Sequence, residues 1–203
     1  MTLSIRIRSY IDGPEAERLL YKYYDREYTG RFYDELRDRD PDRITADDVA
    51  AVALLSVPLS GKAVKALLWT RAEQLAALLK ATPKAALHEI ESEDELEPLW
   101  RVQEFFRTDV RNVGIGHVRR SKLLARKRPH LVPIRDQYVL KALVGGTQQP
   151  LTLPLRAALR EDRQIVERLG ELRDAVDRQS LSLLRVLDVV VWMSEVGDAQ
   201  VSD

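Results

Sequence analysis

The stretch that decides the fold covers residues 112–141 and reads NVGIGHVRRSKLLARKRPHLVPIRDQYVLK. It begins with a tight pair of glycines, Gly114 and Gly116, which frame one isoleucine and lead into a helix-compatible basic run. A proline-bounded extended piece follows, and Asp136 then stands at the head of an apolar helix that Gly145 ends. The pattern predicts a glycine turn between two helices, with a further helix starting after Asp136.

The rest of the chain also favours helices. Capping boxes, in which a Ser or Thr precedes an acidic residue by three positions, predict three further helix starts. They lie at Thr45 with Asp48, Thr70 with Glu73, and Ser92 with Glu95. Other helices are expected to follow Pro14, Pro83, Pro154 and Ser180, whereas the alternating residues 3–8 predict a short extended arm. Helical periodicity without a convincing sheet predicts an all-α protein.

Charge is distributed unevenly along the chain. The 203 residues are 45% hydrophobic and 32% charged, which is ordinary for a soluble globular domain. Basic and acidic residues balance at 32 each, which argues against a general polyelectrolyte binder. Residues 101–141, however, hold 11 Lys or Arg against 3 Asp or Glu, and both flanking regions are acidic. This distribution predicts a localised anion-binding surface.

Composition excludes several kinds of site. The chain has no cysteine, so it has no disulfide, thiolate metal site or cysteine nucleophile. The three histidines, His88, His117 and His130, lack metal-ligand spacing, so no metal or cofactor is expected. The apolar runs at 49–57 and 186–193 are shorter than the roughly 20 residues that a membrane-spanning helix needs. The first residues lack the apolar core of a signal peptide, so a cytoplasmic protein is expected.

The chemistry-bearing residues lie around the glycine turn. Its backbone N–H groups, with the positive end of the following helix, can hold a DNA phosphate without reading bases. Arg119, Lys122 and Arg126 recur at helical spacing and form one expected cationic stripe. Arg120 and Lys127 form a second. The expected DNA-contacting set comprises Val113, Gly114, Ile115, Gly116, His117, Arg119, Arg120, Lys122, Arg126, Lys127 and Arg128.

This stretch resembles the helix-hairpin-helix DNA glycosylases, a family that includes endonuclease III and the adenine and alkylpurine glycosylases. The family's hairpin has a hydrophobe-x-Gly-hydrophobe-Gly pattern, and Val113-Gly114-Ile115-Gly116 is similar to it. In the family an aspartate follows the last glycine at about the interval of 20 residues that separates Gly116 from Asp136 here. The resemblance covers residues 112–141 only.

The resemblance implies a multi-helix, two-lobed globule built around a central helix-hairpin-helix, with double-stranded DNA as the partner. The expected organisation is a single all-α domain over residues 1–203, in which residues 1–44 and 146–203 form a second lobe. The whole chain also resembles an uncharacterised bacterial family related to these enzymes, which implies no known function.

Two features bear on whether the chain is a glycosylase. Bifunctional family members carry a nucleophilic lysine two residues after the last hairpin glycine, where this chain has Val118, so a Schiff-base lyase mechanism is not expected. Monofunctional members also lack that lysine, so hydrolysis remains open. In that case Asp136 would stabilise the sugar cation or activate water after the base is flipped out. The structural alternative is that Asp136 only caps the helix that follows it.

The family usually has small residues where this chain has Arg119 and Arg120, and the chain has no four-cysteine iron–sulfur loop.

Two other groups of polar residues allow a functional and a structural interpretation. Asp188, in an apolar run, is either a catalytic acid or the partner of Arg185 in a structural ion pair, and the ion pair is favoured. The tyrosines either stack on nucleic acid or pack in the core, and packing is favoured. They are Tyr21, Tyr23, Tyr24, Tyr28 and Tyr33.

Three function classes follow from these patterns. The favoured one is a protein that contacts the backbone of duplex DNA through residues 112–128 without sequence specificity. The second is a monofunctional base-excision glycosylase that uses Asp136. The third is a protein-interaction module whose basic helix docks an acidic partner. Whether the chain is an enzyme stays open at this point.

Overall fold

The computed structural model describes residues 1–25, 28–36 and 40–196, and all the regular secondary structure in these ranges is helical. The α-helices are α1 (Leu3–Ile11), α2 (Glu15–Asp25), α3 (Arg31–Glu35), α4 (Ala46–Leu54), α5 (Gly61–Lys65), α6 (Ala72–Ala81), α7 (Glu97–Thr108), α8 (His117–Lys127), α9 (Gln137–Val144), α10 (Thr152–Glu161), α11 (Arg163–Ala175) and α12 (Leu183–Val196). Short 3-10 turns cover Asp94–Leu96 and Arg111–Val113, and Ala66–Thr70 is a π-helical turn. The all-α class is confirmed.

The chain divides into two compact units. The first unit comprises residues 1–28, 87–89 and 133–203, and the second comprises residues 29–86 and 90–132. Helices α1, α2 and α9–α12 belong to the first unit, and α3–α8 belong to the second. The lobe expected from residues 1–44 and 146–203 differs in its bounds, because residues 29–44 lie in the second unit.

In the first unit, α12 is the central helix and packs against α2, α9 and α11. Its charged pair is buried: Nη1 of Arg185 lies 2.5 Å from Oδ2 of Asp188, and Nη2 donates to the hydroxyl of Tyr23 at 2.7 Å. The ring of Tyr23 stacks on that of Tyr28 and meets Trp192 edge to face. The predicted ion pair is therefore confirmed, and the buried tyrosines of this cluster pack in the core.

In the second unit, α8 packs against α4, while α6 packs against α7. Residues 121–127 of α8 and its C-cap Arg128 are all buried. The apolar core of the unit includes Leu67, Leu75, Leu99, Phe106 and Leu123. Helix α4 is less buried than its apolar composition suggests, because Ala50 and Ala53 are exposed.

The extended arm predicted for residues 3–8 is wrong, because these residues form the start of α1. Thr2 caps this helix by accepting a hydrogen bond from the backbone N–H of Ile5. Ile7 and Ile11, four residues apart, are fully buried on one side of α1. The alternation of the first residues therefore masked a helical pattern that only becomes clear with Ile11.

The helix start predicted at Thr45 is right. Asp48 accepts a hydrogen bond from the backbone N–H of Thr45 at 2.7 Å, as a capping box requires. The box at Thr70 does not form, because Thr70 lies inside the π-helical turn and not in the extended conformation of a cap. Residues 83–90 are not helical, and the helix expected after Pro154 is broken at Asp162 into α10 and α11.

Candidate nucleic-acid interface

The glycine hairpin leads directly into α8. Gly114 has a φ of 81°, the left-handed conformation that favours glycine, and Gly116 is the extended residue before the helix. Ile115 between them is buried and anchors the turn in the second unit. A β-carbon on Gly114 or Gly116 would meet no atom within 4 Å from residues that are not its neighbours in the chain, so the space above both glycines is open.

The first turn of α8 has the features of an anion-binding helix terminus. Gly116 offers no side chain to cap the turn, and no acidic residue lies in that turn. The helix has 11 residues, so its aligned peptide dipoles place a positive partial charge at this end. An exposed turn of this kind attracts phosphate groups.

The basic residues in the C-terminal half of α8 point into the second unit. Four of these residues are each at most 8% exposed: Lys122, Arg126, Lys127 and Arg128. Buried cations are costly unless oxygen atoms surround them, and these four have such partners. The expectation that they face DNA is therefore corrected: their charged groups are already occupied inside the fold.

Several of these partners are carbonyl groups at helix C-termini. Lys122 Nζ donates to the carbonyl of Leu55, the residue that ends α4, at 2.9 Å. Arg126 donates to the carbonyls of Tyr33 and Leu36 at the end of α3. Arg128 donates to the carbonyl of Leu79 in the last turn of α6. Carbonyl groups at a helix C-terminus carry negative partial charge, so the basic residues of α8 and its C-cap Arg128 tie the ends of three helices together.

Two carboxylates complete this arrangement, which we call the α8 clamp (Lys122, Arg126, Lys127 and Arg128 with Asp42 and Asp48). Asp48 is fully buried, and its two oxygens lie 3.3 Å from Arg126 Nε and 2.5 Å from Lys127 Nζ. Asp42 lies 2.6 Å from Arg128 Nη2. The hydrogen bond from Arg128 lowers the pKa of the Asp42 carboxyl, while burial acts in the opposite direction.

His117, Arg119 and Arg120 stay half-exposed at the N-terminal end of α8. Arg119 Nε donates to the carbonyl of Pro58 at 3.0 Å, and its Nη1 donates to that of Gly114 at 3.3 Å. Arg120 Nη1 donates to the carbonyl of Gln103 at 3.4 Å. The contact with Gly114 holds the Arg119 guanidinium beside the hairpin, whereas Arg120 is held against α7, and part of each side chain stays open to solvent. We call residues 113–120 the hairpin surface.

Asp136 belongs to the first unit and the hairpin to the second. Its Oδ1 accepts a hydrogen bond from the backbone N–H of Tyr138 at 2.9 Å, so Asp136 is the N-cap of α9. The capping role is thus confirmed, and a catalytic role for this carboxylate stays a prediction. Val118, at the position of the family's lysine, is half-exposed in the first turn of α8.

Sequence reasoning missed one neighbour of the hairpin. The hydroxyl of Ser60 caps α5 by accepting from the N–H of Ala63 at 3.2 Å, and it donates to the carbonyl of Val113 at 2.9 Å. With the bond from Arg119 to Pro58, this places the start of α5 against the hairpin surface. The sequence did carry one signal for this neighbour: residues 49–72 contain no acidic residue, like the hairpin stretch 110–135.

The described residues hold neither a metal cluster nor a membrane-spanning helix. Within residues 1–25, 28–36 and 40–196, no group of three or more His, Asp or Glu side chains is arranged to hold a metal ion. Among the helices of those same ranges, none has the length and apolar character needed to cross a bilayer.

Comparison with known proteins identifies a family. No curated protein and no solved structure matches the chain, so nothing in these comparisons links it to the helix-hairpin-helix glycosylases. A family model does match, over residues 16–195, which include the hairpin surface, the α8 clamp and Asp136. The protein therefore belongs to the family of unknown function DUF6308.

Proposed function

We propose that this protein binds the backbone of duplex DNA, without reading its sequence, through the hairpin surface. The observation that carries the proposal is the open space above Gly114 and Gly116 at the uncapped first turn of α8. Because neither glycine has a side chain, a phosphate can approach the backbone there more closely than it could at any other residue type. Backbone amides at a helix start bind phosphate oxygens but make no contact with base edges.

The charge around the hairpin supports the same ligand. No acidic residue lies between Asp109 and Asp136, so nothing within this part of the sequence opposes a polyanion. Arg119 and Arg120 stand half-exposed one turn into α8, where a second phosphate of the same strand can meet them.

Burial of the α8 clamp changes the expected strength of binding. If all six Lys and Arg of residues 119–128 contacted phosphates, log K would fall with log salt at a slope of about −5. With only Arg119, Arg120 and the hairpin amides available, we expect a slope of about −2 to −3. The contact is therefore weak and salt-sensitive, of the kind that positions a protein on DNA.

The test compares Gly116→Asp with the wild-type protein by fluorescence anisotropy on two duplexes of unrelated sequence. Aspartate is a favoured N-cap residue and has room here, so the variant should fold as stably as the wild type. Its carboxylate accepts hydrogen bonds from the backbone N–H groups of the first turn and repels phosphate. We therefore expect the affinity for both duplexes to fall at least about tenfold. Gly13→Asp is the matched control, because Gly13 also has open space but lies in the first unit.

Gly13→Asp should bind both duplexes as the wild type does. If Gly116→Asp also binds like the wild type, the hairpin surface is not the binding site. If the wild-type protein binds neither duplex at low salt, the proposed function is wrong.

A further inference from the structure

The segment next to the hairpin surface has an unusual backbone. Helix α5 continues without a break into the π-helical turn Ala66–Thr70, in which the N–H of Arg71 donates to the carbonyl of Ala66 at 2.9 Å. Such turns are rare and are found frequently at functional sites. On the inner side of this segment Ala63, Ala66 and Leu67 are buried, so the segment is firmly seated in the second unit.

The outer side of the segment carries one aromatic and two basic residues. Lys62, Lys65 and Trp69 are all exposed, and their spacing of three and four residues places them on one face. Trp69 is 68% exposed, compared with 47% for Tyr21 and 37% for Phe32. No described residue forms an ion pair with Lys62 or Lys65. We call Lys62, Lys65 and Trp69 the aromatic ridge.

The aromatic ridge adjoins the hairpin surface. Ser60, which caps α5, donates to the carbonyl of Val113, and Arg119 donates to the carbonyl of Pro58. These bonds bring together the two stretches of the chain that lack acidic residues, 49–72 and 110–135. A ligand held at the hairpin therefore continues onto the aromatic ridge without meeting an acidic residue from either stretch.

We infer that the aromatic ridge binds unpaired bases of a DNA strand, with Trp69 stacking on a base and the two lysines contacting phosphates. This inference rests on the proposed function, which it extends from duplex to single-stranded DNA. Nucleic acid presents negative charge and flat aromatic faces side by side, which is the complement of this ridge. A paired base hides its faces in the helical stack, so only an unpaired base can lie on Trp69.

The size of the ridge fits a short strand. Together with its cap Ser60, the ridge segment spans ten residues up to Trp69, and their nine steps of about 1.5 Å extend roughly 13 Å. A strand whose bases are stacked at about 3.4 Å covers that length with about four nucleotides. An acidic protein would also be attracted by Lys62 and Lys65, but it offers no regular series of flat rings to Trp69.

The test measures the affinity of the full chain for a fluorescein-labelled 12-nucleotide single strand and for the corresponding duplex. We expect Trp69→Ala to weaken binding of the single strand about tenfold or more, because one stacked base contributes that much. The affinity for the duplex should change less than about twofold, because its bases are not available for stacking. Trp69→Phe should recover part of the affinity, since phenylalanine keeps a smaller aromatic face.

Three further measurements sharpen the result. Phe32→Ala, which removes another exposed aromatic residue of the second unit, should leave both affinities unchanged. A 12-nucleotide strand in which every nucleotide is abasic should bind wild type and Trp69→Ala equally, because it offers no base to stack. The double variant Lys62→Ala/Lys65→Ala should weaken single-strand binding. It should also make the slope of log K against log salt shallower by about 1.4, because each lost phosphate contact contributes about 0.7.

The outcomes separate the two proposals. Equal binding of the single strand by wild type and Trp69→Ala overturns the aromatic ridge, whatever happens with the duplex. Binding of the single strand that depends on Trp69, without any binding of the duplex, supports the ridge and contradicts the proposed function. Binding of neither probe by the wild type overturns both.

Discussion

The two ends of α8 contain the same kinds of residues and use them differently. At the C-terminal end, Lys122, Arg126, Lys127 and Arg128 are buried among carbonyl and carboxylate oxygens. At the N-terminal end, Arg119 and Arg120 are half-exposed beside an open glycine turn. One end therefore holds the second unit together, and the other is the end available to a ligand.

The difference shows what a count of basic residues leaves out. A helix C-terminus presents carbonyl groups without intrahelical partners, and these compete with phosphates for every cation that can reach them. Helices α3, α4 and α6 all end within reach of the basic residues of the clamp, and these ends share the cations with the carboxylates of Asp42 and Asp48. Local net charge overestimates an anion-binding surface wherever such helix ends are close.

The largest effect is expected from removing the buried carboxylate of the clamp. Asp48→Ala leaves Arg126 and Lys127 without their shared partner, so we expect the free energy of unfolding to fall by about 3–5 kcal/mol. Urea denaturation followed by circular dichroism measures this loss. Asp47→Ala, at the half-exposed neighbouring position of α4, should cost less than about 1 kcal/mol. Similar values for both variants would contradict a structural role for the clamp.

The second prediction separates the two ends of α8 directly. Arg126→Ala should lower the free energy of unfolding by about 2–3 kcal/mol, because it leaves buried oxygens unpaired, but the folded variant should bind duplex DNA normally. Arg120→Ala should do the reverse: it should cost less than about 1 kcal/mol and make the salt slope of duplex binding shallower by about 0.9. Thermal melts and anisotropy on the same preparations measure both quantities. Loss of DNA affinity in folded Arg126→Ala would show that the two ends are not independent.

The smallest effect concerns pH. The pKa of Asp42 lies below its ordinary value of 3.8 because Arg128 donates a hydrogen bond to the carboxylate. A lowered pKa in the folded state stabilises the protein above the unfolded-state pKa, and this contribution is lost as pH falls through the folded-state pKa. Wild type should therefore be more stable than Asp42→Asn at pH 7, and the difference should shrink below about pH 4. A difference that stays constant from pH 7 to pH 3 would exclude this carboxylate as the titrating group.

Local features of the sequence predicted a large part of the fold. The all-helical class follows from periodicity, and the caps at Thr45, Asp136 and Gly145 are where the pattern places them. Each of these signals acts within four residues, so no tertiary contact is needed to produce it. The ion pair of Arg185 with Asp188 is of the same kind, since both residues lie one turn apart on α12.

The predictions that are wrong concern features that depend on contacts between residues far apart in the sequence. The Thr70 and Glu73 pattern has the spacing of a capping box, but the chain continues through a π-helical turn, and Glu73 pairs with Arg43 instead. The burial of Arg126 depends on Tyr33 and Leu36, which precede it by about ninety positions. No periodicity within α8 could reveal that its C-terminal half is buried on every side while its first turn is half-exposed.

The sequence by itself determined that the chain is helical, where several helices begin and end, and that a glycine turn precedes a basic helix. These outcomes rest on backbone conformation and on side chains close in sequence. Only the tertiary structure decided which cations of α8 are buried and that the start of α5 lies against the hairpin. Both depend on helix ends and side chains far apart in the chain, because burial and charge neutralisation are settled only when separate helices pack together.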